Sequence, residues 1–224
     1  MINQPETINS KDTVWLDDGK TYKKNSDTPF TGIEESFHEN GQLSWRGNYK
    51  NGKQDGLFES FHENGQLSWR GNYKNGKKDG LFESFHENGQ LSWRGKYIKG
   101  KRDGFHEQFY ENGQLNWSSH FKSGEREGLC EMFYENGQIE ERGKYKEEKR
   151  HGINISYYKN GQVEIMTTYD NDVNHGQYRR FYENGQFRSK GNVKNDKQDG
   201  LWEYFDEDGN LTGTEEWKDG ELIE

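Results

Sequence analysis

The stretch "FHENGQLSWRGNYKNGK" fills Phe37–Lys53 and returns unchanged at Phe61–Lys77. From Phe85 it returns again as "FHENGQLSWRGKYIKGK". Its Asn-Gly recurs at Asn40, Asn64, Asn88, Asn112, Asn136, Asn160 and Asn184, and as Asp-Gly at Asp208, always 24 residues apart. A second turn signal follows at Asn51-Gly52, Asn75-Gly76, Lys99-Gly100, Ser123-Gly124 and Asp219-Gly220, and decays to Glu147-Glu148, Asn171-Asp172 and Asn195-Asp196. A fixed period of this size marks a repeat architecture.

Each period holds two short apolar-alternating runs divided by turns, which reads as a β-hairpin. With a two-residue type I′ turn at Asn64-Gly65, Leu67 faces His62, Trp69 faces Ser60, Gly71 faces Phe58, Arg70 meets Glu59 and Ser68 meets Phe61. A second two-residue turn at Asn75-Gly76 brings Trp69 opposite Phe82 and Gly71 opposite Gly80. One face then carries Leu67, Trp69, Gly71 and Tyr73 with Phe58, Ser60 and His62. The other carries Arg, Glu, Ser and Asn, broken by the columns of Leu57 and Phe61. The Glu/Arg pairing recurs at Glu35–Arg46, Glu83–Arg94 and Glu131–Arg142, and becomes apolar at Ile155–Met166. Opposite charges and apolar pairs are what cross-strand neighbours favour. At Arg179–Lys190 two cations meet.

The expected fold is all-β: an elongated single-layer antiparallel meander, a solenoid-like ribbon of about eight 24-residue hairpin repeats. Residues 1–31 read as a tail and a degenerate capping hairpin, 32–212 as the tandem repeats, and 213–224 as a charged C-terminal cap. Gly47, Gly56, Gly71, Gly80 and Gly95 are structural, as are Glu59 and Arg70. A glycine beside an aromatic lets the ring lie over bare backbone. Composition agrees. Only 27% of the 224 residues are hydrophobic, yet 15% are aromatic, so the apolar material sits in few ring-bearing columns. Cys130 is the one cysteine, so no internal disulfide forms.

The run Gly56–Gly80 resembles a MORN-type repeat of the bacterial variant kind. Its marks are Gly56, Phe58, Phe61, the Asn64-Gly65-Gln66-Leu67 turn, Gly71, Tyr73, Asn75-Gly76 and Asp79-Gly80. The resemblance covers nearly the whole chain from about Ile33. It implies stacked hairpins used for interaction and not for catalysis. It also implies a likeness to YwqK-type bacterial proteins that act as antitoxins or immunity proteins. Eukaryotic MORN proteins are linked to phospholipid attachment and scaffolding. The regular Asn-Gly-Gln turn and the net charge of −9 depart from that pattern.

No unique nucleophile–base–orienter set stands out. His38, His62 and His86 are copies in one column that continues as Tyr110, Tyr134, Tyr158 and Tyr182, which suits a spacer and not a general base. Two strands apart, at ~9–10 Å, those histidines are too far apart to share a metal ion. The expectation is therefore no catalytic residues, no metal and no cofactor. Nucleic acid is disfavoured, because adjacent Trp and Arg point to opposite faces and the chain is acidic. What remains is protein recognition; the resemblance implies a bacterial antitoxin or immunity protein, expected to be cytoplasmic. The candidate partner-binding residues are Trp45, Trp69, Trp93, Trp117, His38, His62, His86 and Tyr110, with Arg179, Arg180 and Trp202 among the irregular later repeats. The partner that the resemblance implies is a toxin domain, expected to be basic and to be occluded by an acidic aromatic surface. The alternative is a scaffold or a membrane-apposed organiser that binds anionic phospholipid. Open sheet edges allow a monomer or an end-to-end dimer.

Overall fold

A computed structural model of the chain describes residues 5–223; the outermost residues of the expected tail and cap lie outside them. There is no α-helix among the described residues, and nearly every strand pairing is antiparallel. The chain divides into two compact units, residues 1–113 and 114–224.

In the first unit, β1 (Thr7–Asn9) lies parallel to β4 (Gly32–Phe37), and β2 (Thr13–Trp15) pairs with β3 (Thr21–Lys23) in a separate small hairpin. From β4 the meander runs through β5 (Leu43–Lys50), β6 (Lys53–Phe61), β7 (Leu67–Lys74), β8 (Lys77–Phe85), β9 (Leu91–Ile98) and β10 (Lys101–Phe109). The second unit repeats the scheme from Leu115–Lys122 to Glu221–Leu222. There, strands break at His151 and His175, just before Gly152 and Gly176, although each histidine N–H still donates across the pair, to the Lys144 and Thr168 carbonyls at 2.8 Å.

The two turns of each repeat differ, which corrects the expectation of type I′ geometry at both. At Asn75-Gly76 both residues have positive φ (49° and 76°), as type I′ requires. Glu147 and Glu148 keep the same geometry without glycine, at 52° and 68°. At the first turn only Gly65 has positive φ (83°). The Gly65 N–H donates to the His62 carbonyl, and the His62 N–H to Gln66. That is a three-residue loop, Glu63-Asn64-Gly65, ending in a glycine bulge. Leu67 therefore pairs with Phe61 and not with His62, while Trp69–Ser60, Arg70–Glu59 and Gly71–Phe58 hold as expected. The extra residue turns the Leu67 position towards the Phe61 column. In the second unit its equivalent, Phe187, stacks on Phe181 at 4.7 Å.

The second turn also hides an irregularity. Tyr73 faces Lys78, but further on Gly71 faces Phe82 and Trp69 faces Ser84. Two extra residues on β8 are absorbed around Gly80, whose φ of 118° only glycine adopts readily. An even number of extra residues keeps the columns on their faces but moves Phe82 from Trp69 to Gly71. Packing requires this: a Cβ on Gly71 would lie 2.2 Å from Cδ1 of Phe82.

The core is a single file of rings. In the first unit Phe30, Tyr49, Phe58, Tyr73, Phe82, Tyr97 and His106 follow one another at 5.1–6.0 Å, mostly edge to face. Each such pair contributes ~0.5–1.5 kcal/mol beyond the area it buries. Phe58, Phe82 and His106 are buried over Gly47, Gly71 and Gly95. In the second unit the small Cys130 opposes Ser119, so the glycine is dispensable where the ring is gone.

Candidate interaction surfaces

The tryptophan row lies on the ring-bearing face. Trp45, Ser60, Trp69, Ser84 and Trp93 stand opposite one another across β5 to β9, so serines floor the gaps between half-buried indoles. Between Trp69 and Trp93 is a hollow of about 260 Å³ walled by Tyr73 and Phe82 and rimmed by Lys78. In the second unit Trp117 is half-buried beside Phe121 at 6.2 Å. Trp93 packs at 5.3 Å from His106. The row is thus part support for the ring file and part surface.

The arginines face away from it. Arg70 pairs with Glu83 at 2.6 Å and lies 5.8 Å from the Phe85 ring. Although Glu59 and Arg70 are direct neighbours in register, Glu59 takes its ion pair from Arg46 at 2.7 Å. The meeting of Arg179 and Lys190 is relieved sideways: Lys190 binds Glu203 at 3.0 Å and Arg179 donates to the Gln177 amide oxygen. Arg180 lies 3.4 Å from Glu164. These surface pairs are each worth ~0–1 kcal/mol.

The histidine column has a job that its His-to-Tyr exchange encodes. Nε2 of His38, His62 and His86 donates to the carbonyls of Phe61, Phe85 and Phe109, one repeat on. In the second unit the hydroxyls of Tyr134, Tyr158 and Tyr182 donate to Tyr157, Phe181 and Phe205. One donor at the same reach is all the position needs. Tyr110 continues the column and is half-buried. His62→Tyr is expected to change stability by less than ~0.5 kcal/mol, and His62→Ala to cost ~1 kcal/mol, both read by chemical denaturation.

Trp202 is 5% exposed, lies over Gly191 and donates its indole N–H to the Asn192 carbonyl at 3.0 Å, so it belongs to the core. His106 is fully buried, and burial holds its imidazole below the ordinary histidine range. Above pH ~6.5 it is neutral folded and unfolded. As the pH falls below that, the unfolded chain protonates first, so stability declines with acid. His106→Phe, which copies Phe58 and Phe82, is expected to flatten the stability slope between about pH 7 and 5 relative to the natural chain. Cys130 is buried, which raises its thiol pKa.

Two features were missed in the sequence. Trp15, in the small N-terminal hairpin, is 68% exposed. It overlooks a hollow of about 420 Å³ shared with Tyr49, Lys53 and Lys77. Burial and the Glu34 carboxylate raise the Tyr49 hydroxyl pKa. Glu34, itself buried, also accepts from the Thr13 hydroxyl. Charge is the second feature. Residues 1–113 hold 16 basic and 17 acidic side chains, whereas 114–224 hold 15 and 23. The acidity expected of the whole chain therefore resides in the second unit. Counting each half separately would have found it.

Among the described residues no group of three or more His, Cys, Asp or Glu is placed to hold a metal ion, and no helix is long and apolar enough to cross a membrane. A meander of hairpins tied repeat to repeat, with aromatic hollows on its ring-bearing face, defines a β-hairpin repeat protein. The family model described as "MORN repeat variant" matches residues 30–51, 54–75, 78–92, 126–147, 150–171, 174–195 and 198–219. The chain belongs to the MORN repeat variant family, whose repeats generally bind proteins or membranes and carry no enzymatic activity of their own. A search of curated proteins finds no match.

Proposed function

We propose that this chain is a non-catalytic protein-binding protein that acts as a bacterial, cytoplasmic antitoxin or immunity protein, covering the active surface of a toxin. The observation that supports this reading is the row Trp45–Ser60–Trp69–Ser84–Trp93. It offers regularly spaced, half-exposed indoles over small floors, and Trp is among the usual anchors of protein interfaces. The excess of acid in residues 114–224 would speed capture of a basic partner.

The test is a pull-down from native lysate with the full chain and with Trp69→Ala/Trp93→Ala. One toxin-like protein retained by the first and lost by the second supports the reading. Unchanged retention by the double variant removes the tryptophan row from it. A hydrolytic activity abolished by a single His→Ala substitution would overturn the non-catalytic reading altogether.

A further inference from the structure

We propose that the first unit docks side by side with a second copy of this chain, the lysine edge of one against the glutamate edge of the other. A meander puts all its first turns along one edge and all its second turns along the opposite one. In the first unit these edges carry opposite charge. The second-turn edge holds Lys50 directly opposite Lys53 and Lys74 directly opposite Lys77, with Lys99 and Lys101 flanking Gly100. Like charges held opposite each other disfavour the pair, so the arrangement gains from an anionic neighbour.

The nearby acids do not supply one. Asp55 and Asp79 accept the backbone N–H groups of Asn75 and Lys99, at 3.1 and 3.4 Å. The carboxylates on the opposite face are held by Arg46, Arg70 and Arg94. All six edge lysines are exposed, and none of them is in an ion pair among the described residues.

The first-turn edge presents Glu39, Glu63, Glu87 and Glu111, all exposed. The carbonyls of the last three accept the side-chain amides of Asn40, Asn64 and Asn88, which fixes successive turns to each other. Both rows advance by two strands per repeat, ~9–10 Å. One repeat operation generates both, so aligning one lysine rung with one glutamate aligns the rest. Residues 1–113 are close to neutral, so the charged edges meet without opposing net charge from that unit. Each copy uses two different edges, which makes the contact heterologous and open to further addition.

Sedimentation velocity on the full chain tests this. At about 20 mM salt the average mass is expected to exceed one chain, and at about 500 mM, where exposed charges are screened, to fall to one. Lys74→Glu/Lys77→Glu/Lys99→Glu and Glu63→Lys/Glu87→Lys/Glu111→Lys are each expected to stay monomeric alone at low salt. An equal mixture of the two is expected to reassociate, since each then supplies the edge the other lacks. A natural chain that stays monomeric at low salt overturns the proposal. So does a mixture that fails to reassociate while both variants keep the natural circular dichroism spectrum. Lysine-dependent binding to phosphatidylserine vesicles by a chain that remains monomeric would overturn it too, assigning the lysine edge to a lipid surface.

Discussion

Phe82→Ala is expected to lower the stability of the chain by about 3–5 kcal/mol, read as a shift in the denaturant midpoint. Phe82 is 3% exposed and sits between Tyr73 and Tyr97 in the ring file, at 5.3 Å from each. Removing it opens a gap in a sheet that has only one layer of rings as its core. The glycine beneath gives the matching result. Gly71→Ala would place a Cβ within 2.2 Å of the Phe82 ring, and its φ is not positive, so the clash is with the ring and not with the backbone. Alone it is expected to cost about 1–3 kcal/mol. After Phe82→Ala it is expected to cost nearly nothing, because the obstruction has gone. Strictly additive costs would show that the ring and the glycine are not packed as described.

Trp202→Ala carries the second large expected effect, about 3–5 kcal/mol of stability. Its ring covers Gly191, stands 5.4 Å from Tyr178 and is tied by its N–H to Asn192. Arg179→Ala, two strands away, is expected to change stability by less than about 0.5 kcal/mol, because among the described residues its guanidinium is hydrogen-bonded to the Gln177 side chain at the surface and to nothing else. The sequence grouped these two residues as candidate binding positions because both break the repeat. Urea unfolding of the two variants separates the roles. Equal small losses would return Trp202 to the surface.

The hairpins, the opposite faces of Trp69 and Arg70 and the Glu59–Arg70 register were legible because each depends on neighbours within one turn, whereas Leu67, expected on the tryptophan face, is turned to the Phe61 column by the bulge. The Asn-Gly signal and a strand period of two suffice for those. The Trp69–Phe82 pairing was misread because the ladder was assumed regular beyond the second turn. Asp79-Gly80 was visible, but its role as a bulge depends on Phe82 needing bare backbone at Gly71, a contact between repeats. The first turn was misread for a similar reason. Asn-Gly permits type I′, while the pairing of Phe61 with Leu67 selects the longer loop. Of the candidate binding residues, Trp45, Trp69, Trp93 and Trp117 stay at a partly open face, while Trp202 is buried in the core. The role of the histidines was not legible in one repeat, since their acceptor is a carbonyl 23 residues on. The exposed Trp15 was overlooked because it lies outside the repeat.

The ties between repeats reach a fixed distance along the chain: the His62 ring to Phe85, the Asn64 amide to Glu87, the Gly76 N–H back to Gln54. Each partner is the equivalent of a residue in every other repeat. Excising or inserting one whole 24-residue period among the near-identical copies leaves every donor facing an equivalent acceptor. Length is then a free variable for the gene. Unequal recombination between copies can adjust the number of tryptophan and lysine rungs without first having to solve a new folding problem.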